Sequence, residues 1–282
     1  MNIWQTQRFA IDLRRPRVMG IVNVTPDSFS GAGQTVDVSA AKAHCDALLD
    51  QGADILDIGG ESTRPGAEAP SVEEELRRVL PVLRHAVGLG VPISVDTSQP
   101  EVMRAALDLG VDIINDVRAL QREGALDVVA AHARAGVCLM HMQGEPASMQ
   151  MAPRYGDVVT DVRAFLAARW ALLRARGVAA ERIAIDPGIG FGKTVEDNLA
   201  LLRRQRELLT LVAPLLVGWS RKSTLGTLTG RSAQERRDAS VAAAILAVQR
   251  GANIVRVHDV APTVDALAVW RAVEQPERAQ EP

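Results

Sequence analysis

The chain has 282 residues, 47% of them hydrophobic but only 3% aromatic, so it can bury a large core built from Ala, Val, Leu and Ile. Its 32 basic and 34 acidic side chains leave a formal net charge of −2, which argues against a nucleic-acid or anionic-membrane partner. The opening MNIWQTQRFAIDLRRP lacks the basic start and apolar run of a secretion signal, and no stretch is apolar enough for a membrane span, so the expected location is the cytoplasm.

Residues 3–13 predict a short hairpin, after which apolar runs alternate with helical patterns. Val38, Ala41, Cys45, Leu48 and Leu49 predict a helix with one apolar stripe, and Val158, Val162, Phe165, Leu166, Trp170 and Leu173 predict another. Ser71 with Glu74, and Ser232 with Glu235, have capping-box spacing; Pro100 suits a first helical turn, and Pro81 should kink its helix. Gly52, Gly90, Gly110, Gly136, Gly177 and Gly251 each follow a helical segment and precede a strand, where positive φ is expected. The strands are VMGIVNVT, DILDIGG, PISVDT, DIINDV, VCLMHM, RIAIDPG, LLVGWS and NIVRVHDV. Alternation implies parallel strands with right-handed crossovers, which an open doubly wound sheet would also satisfy. The count of eight favours a (β/α)8 TIM barrel, one domain over 1–282 with its core at about 15–273. Cys45 and Cys138 have no metal-ligand spacing and read as reduced core residues.

In such a barrel the C-terminal strand ends share one mouth. They supply Asn23, Thr25, Pro26 and Asp27, Gly59 to Arg64, Asp96 and Thr97, Asn115 and Asp116, His141 and Gln143, Asp186 to Lys193, Ser220 to Ser223, and Arg256, His258 and Asp259. Asp96 stands above Ser94 and Asp186 above Ala184 on one strand face. They could share a proton, accept from the donor edge of a heterocycle, or neutralise barrel cations. Arg221, Lys222, Arg256 and His258 form a basic side suited to phosphate, although Arg256 could instead pair with Asp259. DPGIGFGKT fails as a phosphate loop at Pro187 and as a dinucleotide fingerprint at Lys193, so Gly188, Gly190 and Gly192 are expected to let backbone approach a ligand. His44, His85 and His132 fall on helical segments and read as solvated, whereas His141 ends a strand.

The ordered segments MGIVNVTPDSFS, GADILDIGGESTRPGA, PISVDTSQPEV, INDV, MHMQGEPASMQ, IAIDPGIGFGK, GWSRKS and VRVHDV resemble the signatures of bacterial dihydropteroate synthase, over about residues 8–265. The resemblance implies a (β/α)8 barrel that joins p-aminobenzoate to 6-hydroxymethyl-7,8-dihydropterin diphosphate, releasing pyrophosphate. It implies that Asp96, Asn115, Asp186 and Lys222 hold the pterin, with Phe191 completing the substrate-binding set. Asn23, Arg256 and His258 would bind the diphosphate, with Mg²⁺ bridging to Asn23. Thr63, Arg64 and Pro65, with Lys222 and Ser223, would frame the aminobenzoate, where sulfonamides should compete. Asn23, Arg64, Lys222, Arg256 and His258 are the expected catalytic residues, and the family implies a homodimer.

One segment departs from the family pattern: DSFSGAG places Gly31 and Ala32 where the family commonly has Asp and Gly. The departure leaves open a slower enzyme or a non-catalytic pterin-binding barrel, and Gly31→Asp should raise turnover. A pterin-dependent methyltransferase is the remaining reading, disfavoured because it has no use for STRPG, SRKS and an anion clamp together.

Overall fold

The computed structural model describes residues 2–25, 37–62, 69–145 and 148–274. Strands β1 (Ile3–Gln5) and β2 (Ala10–Asp12) form the expected hairpin, with Trp4 opposite Ile11. Eight parallel strands follow: β3 (Arg17–Asn23), β4 (Ile55–Gly59), β5 (Ile93–Asp96), β6 (Ile113–Asp116), β7 (Gly136–Met140), β8 (Ile183–Asp186), β9 (Leu216–Val217) and β10 (Ile254–Val257). They pair in the order β8-β7-β6-β5-β4-β3-β10-β9. A parallel bridge between Ile185 and Leu215 then joins the two end strands, so the sheet closes into a barrel rather than lying open.

Helices α1 (Val38–Asp50), α2 (Val72–Val87), α3 (Pro100–Asp108), α4 (Ala125–Ala131), α5 (Val158–Ala175) and α6 (Val195–Arg203) each follow a strand. The crossover from β9 to β10 carries two, α7 (Ser223–Thr229) and α8 (Arg237–Gln249), and α9 (Val260–Glu274) ends the described chain. Asp37, Ser71 and Asp157 cap α1, α2 and α5 by accepting first-turn N–H groups. The box at Ser232 and Glu235 is complete, but at α2 only its Ser71 half forms, because Glu74 turns to Arg77 and Arg78. The helix runs on through Pro81. No helix among the described residues is long and apolar enough to cross a membrane.

Five of the six junction glycines have positive φ, from 77° to 96°. Gly136 does not: it opens β7, where a Cβ would meet Gln5 O at 3.2 Å and Thr6 Cγ2 at 3.1 Å, so the hairpin's close approach is what requires glycine.

Strand alternation divides the core into two shells. Val18, Val22, Leu56, Ile58, Val95, Ile114, Val137, Leu139, Ile185 and Val255 face the helices. Met19, Ile55, Ile113, Cys138, Ala184, Leu216 and Ile254 fill the barrel interior, together with Trp4, Ile11 and Leu13 of the hairpin segment. The hairpin is therefore a plug for the N-terminal end of the barrel. Trp4 is fully buried, and its Nε1 donates to Arg182 O at 3.0 Å. Trp4→Ala is expected to cost about 3–5 kcal/mol, read as a fall in the urea midpoint; an unchanged midpoint would show that the plug is dispensable.

Candidate active site

Above this apolar layer the inward positions turn polar, and the C-terminal mouth encloses a cavity of about 710 Å³. Nine of the predicted site residues line it: Asn23 from β3, Asp96 from β5, Asn115 from β6, Asp186 and Phe191 at and after β8, Lys222 and Ser223 at the start of α7, and Arg256 and His258 at β10. Ser62 also lines it. Thr63, Arg64 and Pro65, together with Pro26, Asp27, Gly31 and Ala32, lie outside the described residues.

Arg256 crosses the floor of the cavity. Its Nε donates to Asp57 Oδ2 at 2.6 Å and its Nη2 to Asp96 Oδ2 at 2.7 Å. The expected alternative partner, Asp259, is taken instead by Arg221, through bonds of 3.1 and 2.7 Å. The reading of Asp96 as the partner of a barrel cation thus describes this state, and a proton-sharing dyad with Asp186 does not form. Burial pushes the Asp96 carboxyl up, Arg256 pulls it back, and Asp57 and Glu61 push it up again. Asp186 is buried too, which pushes its carboxyl up to about 6, although the Gly188 N–H donates to its Oδ1 at 2.7 Å.

His258 and Lys222 make the opposite wall. Ser220 Oγ accepts the His258 backbone N–H at 3.0 Å and lies 2.9 Å from its Nδ1. In the tautomer that satisfies all three groups, the hydroxyl donates to Nδ1 and Nε2 carries the ring proton. Burial, with Arg221 and Arg256 nearby, pushes His258 down to about 3. That shift favours the neutral imidazole, whose Nε2–H in this tautomer faces no competing acceptor among the described residues. Lys222 Nζ sits 4.0 Å from the centroid of the Phe191 ring, a cation–π contact, and burial pushes its ammonium down to about 8. Arg221 adopts a left-handed φ of 58°, held by its N–H to Ser240 Oγ and by Asp259 on its guanidinium. That turn sets the approach of Lys222.

Several mouth residues act behind the wall. Lys193 is buried, and its Nζ reaches His141 Nδ1 at 3.0 Å, Gly188 O at 2.9 Å and Phe191 O at 3.0 Å. It ties the loop after β8 to the end of β7, and His141 is its partner rather than a cavity group. Gly188 and Gly192 are required by protein packing, since a Cβ there would lie 1.9 Å from His141 O and 2.3 Å from Gln143 O, while Gly188 and Gly190 also line the cavity. Arg118 joins Glu61, Glu145 and Ser98, bracing the start of the loop after β4. Thr97 donates to the buried Glu75 at 2.5 Å. Among the helical histidines, His44 is half-buried and lines the cavity, contrary to a solvated reading, while His85 binds Asp46 and His132 accepts the Ala135 N–H. Sequence reasoning placed Lys193 among the mouth residues but passed over Asp57 and Arg118; inward alternation on β4 could have found the first.

No cluster of three or more His, Cys, Asp or Glu among the described residues could hold a metal. Asn23 nevertheless brings a side-chain amide to the compartment that holds Arg256 and His258. One such donor fits a magnesium that takes its other ligands from phosphate and water.

A model of the pterin-binding enzyme family matches residues 19–258. Dihydropteroate synthase of Neisseria meningitidis serogroup B is 55% identical over 278 residues, 96% of this chain and 98% of that protein. The chain belongs to the dihydropteroate synthase family. Among solved dihydropteroate synthases, that of Xanthomonas albilineans with 4-aminobenzoic acid superposes with a TM-score of 0.89 at 54% identity, covering 94% of this chain and 96% of that one. That of Burkholderia cenocepacia complexed with 7,8-dihydropteroate gives 0.88 at 50%, covering 99% and 98%. Family membership agrees with the closed barrel and with the site lying at its C-terminal mouth.

Gly188 has a φ of 67° and faces a carbonyl, so Gly188→Ala must move the loop that carries Asp186 and Phe191. We expect a loss of more than about 1 kcal/mol in thermal unfolding and loss of 6-hydroxymethylpterin binding by calorimetry. Retention of both would remove the packing role given to this glycine.

Proposed function

We infer that this chain condenses p-aminobenzoate with 6-hydroxymethyl-7,8-dihydropterin diphosphate to give 7,8-dihydropteroate and pyrophosphate. The observation that carries this reading is one cavity with acceptors on one wall and anion donors on the other. Asp186, buried at the cavity wall, accepts from the amino-pyrimidinone edge of the pterin, and Asn115 and Asp96 bind the remainder of the ring. Lys222 donates to a ring acceptor and, with Ser223 and the residues Thr63, Arg64 and Pro65, frames the aminobenzoate.

Arg256 and His258 donate to the diphosphate. As the methylene C–O bond breaks, negative charge grows on the leaving oxygen, where a guanidinium and a neutral imidazole N–H bind it more strongly than in the ground state. Positive charge spreads over the dihydropterin ring, the aminobenzoate nitrogen forms the new C–N bond, and its proton passes to solvent or to pyrophosphate. Asn23 would hold the Mg²⁺, which supplies charge neutralisation on the diphosphate. Further parts of this proposal are a cytoplasmic location and a homodimer, the latter tested by sedimentation; the exposed Val269 and Val273 on α9 offer it apolar surface.

The direct test is pyrophosphate release with both substrates. Asp186→Asn and Arg256→Ala are each expected to lower kcat/KM by about 10²–10³, and full activity in both would overturn the site. Binding of the pterin diphosphate without turnover in the unaltered chain would make it a binding barrel instead. Chelation of Mg²⁺ should abolish release and added Mg²⁺ restore it; activity indifferent to chelation would remove the metal.

The acid limb follows Asp186, raised to about 6, which stops accepting once protonated; the basic limb follows Lys222, lowered to about 8, which loses its charge above that value. A bell-shaped pH dependence of kcat/KM between these limits is expected, and a flat profile from about pH 5 to about 9 would contradict it.

A further inference from the structure

Asp57 does not line the cavity, yet it binds two residues that do. β4 turns it inward between Ile55 and Gly59, and it is fully buried. Its Oδ2 accepts from Arg256 Nε at 2.6 Å and from Asn115 Nδ2 at 3.2 Å, while its Oδ1 has no partner among the described residues. A buried carboxylate with one idle oxygen is a costly way to fill a barrel, and small uncharged side chains would fit an inward position.

The two carboxylates on Arg256 are not equivalent. Asp96 lines the cavity and holds Nη2, the edge a ligand can reach; Asp57 lies behind it and holds Nε. Nη1 has no partner among the described residues. On the reading proposed above, the pterin engages Asp96, so that bond to Arg256 is the one given up when substrate enters. A guanidinium released from both acids would regain side-chain freedom just when it must meet the diphosphate.

We propose that Asp57 is a positioning residue: it keeps Arg256 by Nε and Asn115 by Nδ2 while the Nη edge of Arg256 passes from Asp96 to the substrate diphosphate. The pterin reader and the anion clamp thereby share one buried anchor. This inference rests on the proposed condensation activity.

The test is Asp57→Asn, which keeps the volume and one acceptor but removes the charge, with thermal unfolding monitored to establish that the variant folds. We expect kcat to fall ~10- to 100-fold and KM for the pterin diphosphate to rise. Because Asn115 keeps the one acceptor that this substitution retains, affinity for 6-hydroxymethylpterin, which lacks the diphosphate, should stay within about threefold, as should KM for p-aminobenzoate. In an Arg256→Lys background, which has no Nε–H, the same substitution should add less than about threefold. Unchanged kcat, equal losses for pterin and pterin diphosphate, or full additivity with Arg256→Lys would each overturn the proposal.

If Asp57→Asn does not fold, nitrogen-15 NMR of the unaltered chain decides. The Arg256 Nε–H, assigned by its absence in Arg256→Lys, should resist solvent exchange before and after pyrophosphate binds with 6-hydroxymethylpterin. Loss of that protection on binding would overturn the proposal. Failure of the unaltered chain to release pyrophosphate would defeat the functional reading itself, whereas normal turnover by both it and Asp57→Asn would defeat only this inference.

Discussion

A guanidinium held between two carboxylates organises this barrel. Arg256 is held by Asp57 and Asp96 across strands β10, β4 and β5, through its Nε and Nη2 at short range. Asn115 joins from β6 through Asp57, so one ionic cluster links four strands at the level where the interior changes from apolar to polar. Removing Arg256 would leave two carboxylates without their cation, one of them fully buried, which is why the cluster acts as a unit.

The layers below and around make that cluster possible. Beneath it the interior is Met, Ile, Leu, Ala and Cys, stoppered by Trp4, Ile11 and Leu13, so no water reaches the ion pairs from the N-terminal end. Around it lies a ring of braces: Lys193 on three backbone carbonyls and His141, Arg118 on two acids and Ser98, and Asp259 on Arg221. These braces hold the loops while the cavity groups stay available. Charge is concentrated toward the mouth because that is where ligand or solvent can complete its solvation.

Much of this was legible in the residues themselves. Period-two alternation in the eight runs placed Asp96, Asn115, Asp186 and Arg256 inward, and strand count with helix punctuation led to the barrel. What the residues could not disclose was partnership across large separations in sequence. Arg256 binds a residue 199 positions away, so its choice of Asp57 over Asp259, three residues on, depends on barrel closure, not on local spacing. The same holds for His258, whose neutrality comes from burial and two neighbouring arginines that only the fold assembles. The glycines after Asp186 were read as room for a ligand, whereas two of the three make room for the β7 end of the protein itself.

The plug at the barrel base also bears on how the chain matures. Trp4 meets the carbonyl of Arg182, 178 positions downstream, and Arg8 meets Asp112, 104 downstream. During synthesis from the N-terminus, the hairpin leaves the ribosome long before its seat exists, so Trp4 and Ile11 must wait exposed while most of the strands are made. Docking of the first residues is thereby coupled to arrival of the eighth strand counted from the start of the chain, and a truncated nascent barrel would display this sticky end to chaperones.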